Sequence, residues 1–185
     1  MEWKTLESTE IFTSGLFKLK SDKCELPDGR IMPRYFVMDF PDWVNILPIT
    51  KDGQVILVKQ YRHASRKIHL EVPGGSLDPH RNESLLEGAR REMLEETGYD
   101  SQRIEKIASH FPNPALQSNQ MHTYIAFDCN KVQDQNLDEF EELDLYFCSI
   151  EQLEKHLIDG DINHSIMIAS VAMALTSLKR TTCYR

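Results

Sequence analysis

Leu86 to Tyr99 reads L-E-G-A-R-R-E-M-L-E-E-T-G-Y, and Glu92, Glu95 and Glu96 stand in it at i, i+3 and i+4. At about 100° per residue this spacing gathers the three carboxylates into one sector of a helix. Gly88 falls in the same sector a turn earlier, where the missing side chain leaves room for a neighbouring loop. Leu85, Leu86, Ala89 and Met93 form an adjoining apolar stripe, so one flank of the carboxylate cluster should touch a core. Glu87 and Arg91 have the spacing of a favourable i,i+4 pair. The pattern predicts a helix over about Glu83 to Thr97, with Asn82 as its N-cap and Gly98 as the left-handed residue that ends it.

Three carboxylates this close repel one another, and without a cation at least one should have a raised pKa. A hard divalent cation removes the conflict, and carboxylate oxygens suit Mg²⁺ or Mn²⁺. A plain solvated acidic face fits the same spacing. The loop just upstream, Pro73-Gly74-Gly75, tips the balance, because it can bend tightly at the edge of the cluster and expose a backbone carbonyl.

Outward from this helix the chain reads as strands. Ile68 to Val72 precedes the glycine loop. Trp43 to Ile49 and Gln54 to Tyr61 flank Lys51-Asp52-Gly53, a hairpin signal, and Val55 to Val58 is a continuous apolar run of the kind buried on both faces. Further upstream, Phe17 to Glu25 and Ile31 to Phe40 flank Pro27-Asp28-Gly29 and form a second predicted hairpin. Downstream come strand-like Ile104 to His110, Met121 to Asp128 and Leu143 to Cys148, then helices near Ile150 to Leu157 and Ser165 to Lys179. Strands with few helices in this order indicate an α+β or sandwich-like domain rather than regular βαβ alternation.

With 185 residues, 41% apolar and 27% charged, the chain has the make-up of about one globular domain. Its net charge of −8 repels phosphate backbones at long range, which argues against a nucleic-acid partner. Cys24, Cys129, Cys148 and Cys183 are too widely spaced for a zinc site, and read as reduced thiols. The first ten residues have no apolar core for a signal peptide, and the longest apolar stretch, Ile166 to Leu175, falls far short of a membrane span. A soluble cytoplasmic protein is expected.

Glu83, seven residues, and then Arg91-Glu92-Met93-Leu94-Glu95-Glu96-Thr97-Gly98-Tyr99 resemble the Nudix box, G-x5-E-x7-R-E-U-x-E-E-x-G-U, where U is bulky and apolar. The fixed Arg, Glu and Gly positions would coincide by chance on the order of 10⁻⁶ times per start. One departure stands out: Ser76 to Asn82 places seven residues between Gly75 and Glu83 where the pattern has five. Flanking segments agree with the ADP-ribose and nucleotide-sugar branch of that family. They are Leu70-Glu71-Val72-Pro73-Gly74-Gly75, Val58 to Arg62, Pro114, the acidic run Asp138 to Leu143, and Asp159 to Ser165 before a final helix.

The resemblance implies a Nudix-type α/β/α sandwich with a mixed sheet over residues 41–185. It also implies an N-terminal β extension over 1–40 that pairs two copies as a homodimer. Glu92, Glu95, Glu96 and the Gly74 carbonyl would be metal ligands, with Mg²⁺ expected and Mn²⁺ the alternative. Glu83 either joins through water or holds Arg91, whose role in the family is to orient carboxylates; Gly75 and Gly98 are structural. In the acidic loop Glu139 would be the base and Glu141 a further ligand, the two being interchangeable, with Glu142 beside them. Arg62, Arg66 and Glu71 are candidate substrate contacts. Trp43 either stacks on a nucleobase across the dimer or packs in a core or interface. His122 reads as a strand residue.

The substrate class implied is a nucleoside diphosphate sugar or ADP-ribose, cleaved by in-line attack of water on one phosphorus to give two monophosphates. The alternatives are dinucleotides, nucleoside triphosphates or capped RNA as substrate, or a non-catalytic sensor of ADP-ribose. The intact helix speaks against the sensor, and the acidic charge speaks against capped RNA.

Overall fold

The computed structural model describes residues 1–78 and 81–183, and the chain divides into two compact units. One comprises Met1–Asp42 with Phe111–Gln120, the other Trp43–His110 with Met121–Arg185. Pro79 and His80, within the longer loop of the motif, lie outside the described residues.

The first unit is a three-stranded antiparallel sheet, β1 (Lys4–Thr13), β2 (Lys18–Glu25) and β3 (Ile31–Asp39), in that order. The predicted hairpin is its second half. Gly29 closes the turn at φ 84°, with its N–H on the Leu26 carbonyl. The strand that sequence reading missed is β1. Every one of its residues is exposed, so it carries no buried face to impose a pattern. Residues 111–120 lie along β3 through Met38 N–H to the Leu116 carbonyl (2.8 Å) and Tyr35 Oη–H to the Ala115 carbonyl (2.7 Å).

The second unit is an eight-stranded mixed sheet with helices on both faces. Its strands are β4 (Trp43–Thr50), β5 (Val55–Arg62), β6 (Lys67–Glu71), β7 (Gly74–Ser76), β8 (Tyr99–Asp100), β9 (Arg103–His110), β10 (Met121–Lys131) and β11 (Leu143–Cys148). The order β11-β5-β4-β10-β8 forms the spine, with β6 on β5, β7 on β4 and β9 on β10; β4 and β10 run parallel, and the other pairs are antiparallel. The helices are α1 (Leu85–Thr97), α2 (Ile150–Ile158) and α3 (Ser165–Cys183).

Alternation along the central strands assigns each face its helix. Val44 and Ile46 of β4, with Tyr124 and Ala126 of β10, pack on Ala89 and Met93 of α1. Leu47 and Ile49, with Ile125, face Leu153 of α2 and Met167 and Val171 of α3. Both faces of β4 are therefore dry from Val44 to Ile49, with Asn45 buried among the apolar residues, and the continuous apolar run Val55 to Val58 of β5 is likewise buried. This is the α/β/α sandwich expected. Cys24, Cys129 and Cys148 are free and buried. Among the described residues no helix is long and apolar enough to cross a membrane.

Three local expectations about α1 are corrected. Its N-cap is Ser84, not Asn82: the Ser84 hydroxyl accepts from Glu87 N–H while the Glu87 carboxylate accepts from Ser84 N–H, a capping box. Asn82 stands two residues earlier at φ 49°. Glu87 thus belongs to the cap, and Arg91 turns away from it to other carboxylates. Leu86 is exposed, so the buried stripe is Ala89 and Met93, with Leu85 at its margin.

Gly98 ends the helix as expected, at φ 74° with its N–H on the Leu94 carbonyl. Its carbonyl accepts Val132 N–H, and a Cβ placed there would stand 2.3 Å from the Gln133 carbonyl oxygen. Gly98→Ala is expected to cost about 2–4 kcal/mol, from the left-handed backbone and the backbone clash together. Urea denaturation of the variant checks this; an unchanged midpoint would show that the 132–134 loop shifts freely.

Candidate active site

The site is assembled where α1 lies under the glycine loop. Glycine is required here by close approach. A Cβ at Gly74 would meet the Val44 carbonyl oxygen at 2.3 Å, and a Cβ at Gly75 would meet Glu92 Oε1 at 2.6 Å. Strand β7 holds this loop antiparallel to β4, pairing Gly74 with Asn45, Gly75 with Val44 and Ser76 with Trp43. Trp43 is half-buried between β7 and β10, opposite Met121. At Gly88 a Cβ would meet Leu77 Cδ2 at 2.5 Å, so the predicted loop does approach that face.

Arg91 organises the carboxylates. Its Nε and Nη2 donate to the two oxygens of Glu83 (2.9 and 2.8 Å), and its Nη1 donates to both Glu92 Oε1 and Glu95 Oε2 (2.9 Å each). Hydrogen bonding to Arg91, against some burial, holds the Glu83 carboxyl below its usual range. Glu83, of the two roles open to it, is seen holding Arg91.

Glu96 is different. It is 3% exposed, and the partner seen for its carboxylate is Gly74 N–H, on Oε2 at 3.1 Å. Burial, reinforced by the charges of Glu92 and Glu141, raises its pKa well above the carboxylate range, with Gly74 N–H and Arg62 opposing. Burial also pushes Glu92 up to about 7; Arg91 opposes this, and Glu95 and Glu141 add to it. The raised pKa expected from crowding is therefore present, with desolvation as its larger cause.

From the acidic loop, Glu141 is half-buried, and its charge acts on Glu92, Glu96 and Arg62. Glu139 and Glu142 are exposed; Glu139 sits in the turn closed by Glu141 N–H on the Asp138 carbonyl, with Phe140 beside it at 93% exposure. The loop is anchored by a residue that sequence reading missed. Gln135 Nε2 donates to the Glu96 carbonyl (2.7 Å) and the Leu143 carbonyl (3.3 Å), tying the end of α1 to the start of β11.

Arg62 and Glu71 are brought together. Glu71 is 1% exposed and receives Arg62 Nε (3.1 Å) and Nη2 (2.5 Å), and His164 Nδ1 lies 3.0 Å from its Oε1. Burial favours the neutral carboxyl, but the hydrogen bonds from His164 and Arg62 outweigh it and hold Glu71 at about 2. Sequence reading missed His164, although its segment was noted; the contact joins residues 93 positions apart. Arg66 lies in the exposed turn after β5 at φ 55°, joined to Arg62 through its backbone N–H on the Arg62 carbonyl (2.9 Å). His122 is a buried strand residue, with Nδ1 2.8 Å from Ser109 Oγ.

Among the described residues no three His, Cys, Asp or Glu side chains already converge as metal ligands. Arg91 takes up Glu92 and Glu95 oxygens. The donor set nevertheless fits a hard cation. It consists of oxygens alone, and the largely buried carboxylates of Glu92 and Glu96, with the charge of half-buried Glu141 acting on both, repel one another in a way that a divalent ion would relieve.

This geometry, a sandwich whose helix-borne carboxylates meet a glycine loop, fits a hydrolase of diphosphate (phosphoanhydride) bonds, and the chain belongs to the Nudix hydrolase family. Residues 40–170 match the NUDIX domain, and residues 3–37 match the nucleoside diphosphate sugar hydrolase N-terminal domain. The chain is 30% identical to an ADP-ribose pyrophosphatase of Bacillus subtilis, over 97% of this chain and 98% of that one. It is 30% identical to the methanol dehydrogenase activator of Bacillus methanolicus, over 92% and 91%. A crystal structure of an ADP compounds hydrolase superposes with a TM-score of 0.85 at 25% identity, covering 98% of this chain and 96% of that one. Nudix hydrolases generally need a divalent cation.

Gly75→Ala tests the close packing at the site. Its backbone accepts alanine, but the methyl group must displace the Glu92 carboxylate. Hydrolytic activity is expected to fall about 10- to 100-fold, while the melting temperature stays close to that of the unaltered protein. Full activity would show that Glu92 does not need its present position.

Proposed function

We propose that the protein hydrolyses the diphosphate bond of ADP-ribose and related nucleoside diphosphate sugars, giving a nucleoside monophosphate and a sugar phosphate. The observation that carries this reading is the pair of largely buried carboxylates, Glu92 and Glu96, packed against the glycine loop, where Gly75 abuts Glu92 and Glu96 accepts Gly74 N–H. The match of the N-terminal segment to a nucleoside diphosphate sugar hydrolase domain, and the name of the Bacillus subtilis relative, support the substrate class.

Glu92, Glu95 and Glu96, the Gly74 carbonyl and Glu141 would hold Mg²⁺, with Mn²⁺ as substitute. Bound there, the cation would neutralise charge developing on the phosphoryl oxygens. Arg91 keeps Glu92 and Glu95 turned toward one another. A carboxylate of the acidic loop takes the proton of the attacking water. Glu141 is the one whose charge reaches the cluster, and Glu139 stands in the adjoining turn. As the new O–P bond forms, the bridging P–O bond breaks and its electron pair leaves with the second phosphate.

Arg62 contributes preorganisation. Two of its five N–H donors are spent on Glu71, leaving three to meet a phosphate or ribose oxygen from a fixed guanidinium. Trp43, beside the glycine loop, stacks on the base. The all-exposed β1, with Leu6, Ile11 and Phe12 on its surface and Trp3 just before it, pairs two copies as a homodimer.

The test is a phosphate-coupled assay over ADP-ribose, ADP-glucose, UDP-glucose, GDP-mannose, NADH, diadenosine polyphosphates and dGTP, each with Mg²⁺ or Mn²⁺. Monophosphates released fastest from the sugar nucleotides support this reading. Turnover confined to dinucleotides or triphosphates overturns the substrate class.

A further inference from the structure

We propose that His164 is a positioning residue for substrate binding, acting through Glu71 on Arg62. The inference rests on the function proposed above only in taking Arg62 as a contact for the diphosphate.

The chain of contacts is short and directional. The Glu71 carboxylate is buried and receives the Arg62 guanidinium on both of its oxygens, which keeps it ionised, so it can only accept hydrogen bonds. The ring nitrogen 3.0 Å from its Oε1, His164 Nδ1, must therefore carry a hydrogen and donate it. The same Oε1 accepts Arg62 Nε, and Oε2 accepts Arg62 Nη2. His164 thus fixes the rotation of the carboxylate that in turn fixes the plane of the guanidinium. Arg62 continues outward, with 41% of its side chain exposed, into the field of Glu96 and Glu141.

His164 is itself held at both ends. Its carbonyl accepts Ile168 N–H in the first turn of α3, and its ring lies edge-on to His69 with centroids 6.1 Å apart. His69 Nε2 is 2.6 Å from Ser65 Oγ, in the turn that follows Arg62. The start of α3 is thereby connected to both sides of Arg62. A part-buried hydrogen bond to a fully buried carboxylate is the kind whose loss frees its partner to rotate.

The test uses ADP-ribose kinetics of His164→Ala, His164→Asn and Arg62→Ala, and of the Ala/Ala double variant. Asparagine can place its amide N–H near the position of Nδ1. His164→Ala should raise KM about fivefold, the worth of one such hydrogen bond, with kcat within about twofold. His164→Asn should recover most of the loss. In the Arg62→Ala background His164→Ala should add nothing, because the two act in series.

An unchanged KM, or the same KM rise with Arg62 already removed, would overturn the proposal and leave His164 as a packing residue. Absence of ADP-ribose turnover in the unaltered protein would overturn the function instead. The Arg62 Nε–H resonance then decides the positioning role. Faster exchange in His164→Ala but not in His164→Asn upholds it, and no change in either removes it.

Discussion

Glu96→Gln is expected to abolish most hydrolysis, about 10²- to 10³-fold, and at the same time to stabilise the metal-free protein at neutral and alkaline pH. The two effects have one origin. Glu96 is 3% exposed beside Glu92 and Glu141, and its pKa is raised by burial and then by those charges. A carboxyl whose folded pKa lies above its unfolded value adds stability that is fully present below about 4.5 and is lost as pH rises through the folded value. Glu92, pushed up to about 7, follows the same sign.

Without a divalent cation the protein should therefore lose stability between about pH 4.5 and 7 and beyond, as these groups are forced to ionise. Glutamine keeps the bond from Gly74 N–H and never ionises. The melting temperature of Glu96→Gln should match that of the unaltered protein near pH 5 and exceed it at pH 8. Added Mg²⁺ should close the gap by binding the unaltered site alone. A lower melting temperature for Glu96→Gln at every pH would show that the carboxylate is stabilised where it stands. A full rate would remove Glu96 from the chemistry.

What could be read in advance follows the reach of the interactions. The helix α1, its glycine stop and the approach of the upstream loop at Gly88 are set by residues near one another in sequence, and the structure contains them, whereas the crowding of Gly74 by Val44 and of Gly75 by Glu92 depends on the fold. Even in α1, the N-cap expected at Asn82 is at Ser84, which has its Glu87 partner three residues on. Strand β1 was invisible because all ten of its residues are exposed, so no alternation marks it. Strands β7 and β8 are three and two residues long, too short for any period.

Charge alone could not distinguish Glu139 from Glu141 in the acidic loop. Their difference lies in burial, which Gln135 arranges by anchoring the loop to α1 and β11. Arg62 and Arg66 looked alike, yet only Arg62 has a buried carboxylate within reach. The His164 contact spans 93 positions and depends on where α3 begins.

Arg91→Leu should be the most destabilising change at the site in the metal-free protein, and the one that a divalent cation repairs best. The guanidinium bridges Glu83, Glu92 and Glu95 through four bonds of 2.8–2.9 Å, and all but Glu95 are largely buried. Removing one partner of such a network leaves its carboxylates uncompensated, at about 3–5 kcal/mol.

Glu83 shows the pH window. Its pKa is lowered, first of all by Arg91, so this share of the stability is present above about 4.5 and is lost as pH falls. The deficit of Arg91→Leu should accordingly be full at pH 7 and shrink below pH 4. If Glu92 and Glu95 hold the cation as proposed, a divalent ion would have to share them with Arg91 in the unaltered protein and would meet them unopposed in the variant. Urea midpoints with and without 100 Kd of Mg²⁺, worth about 2.7 kcal/mol by mass action, should therefore show a larger gain for the variant. Its turnover should stay low, because the cation restores charge balance but not the orientation that Arg91 imposes. Equal gains from Mg²⁺ in both proteins would mean that Arg91 and the cation occupy separate places, and that the guanidinium is not standing where a second positive charge belongs.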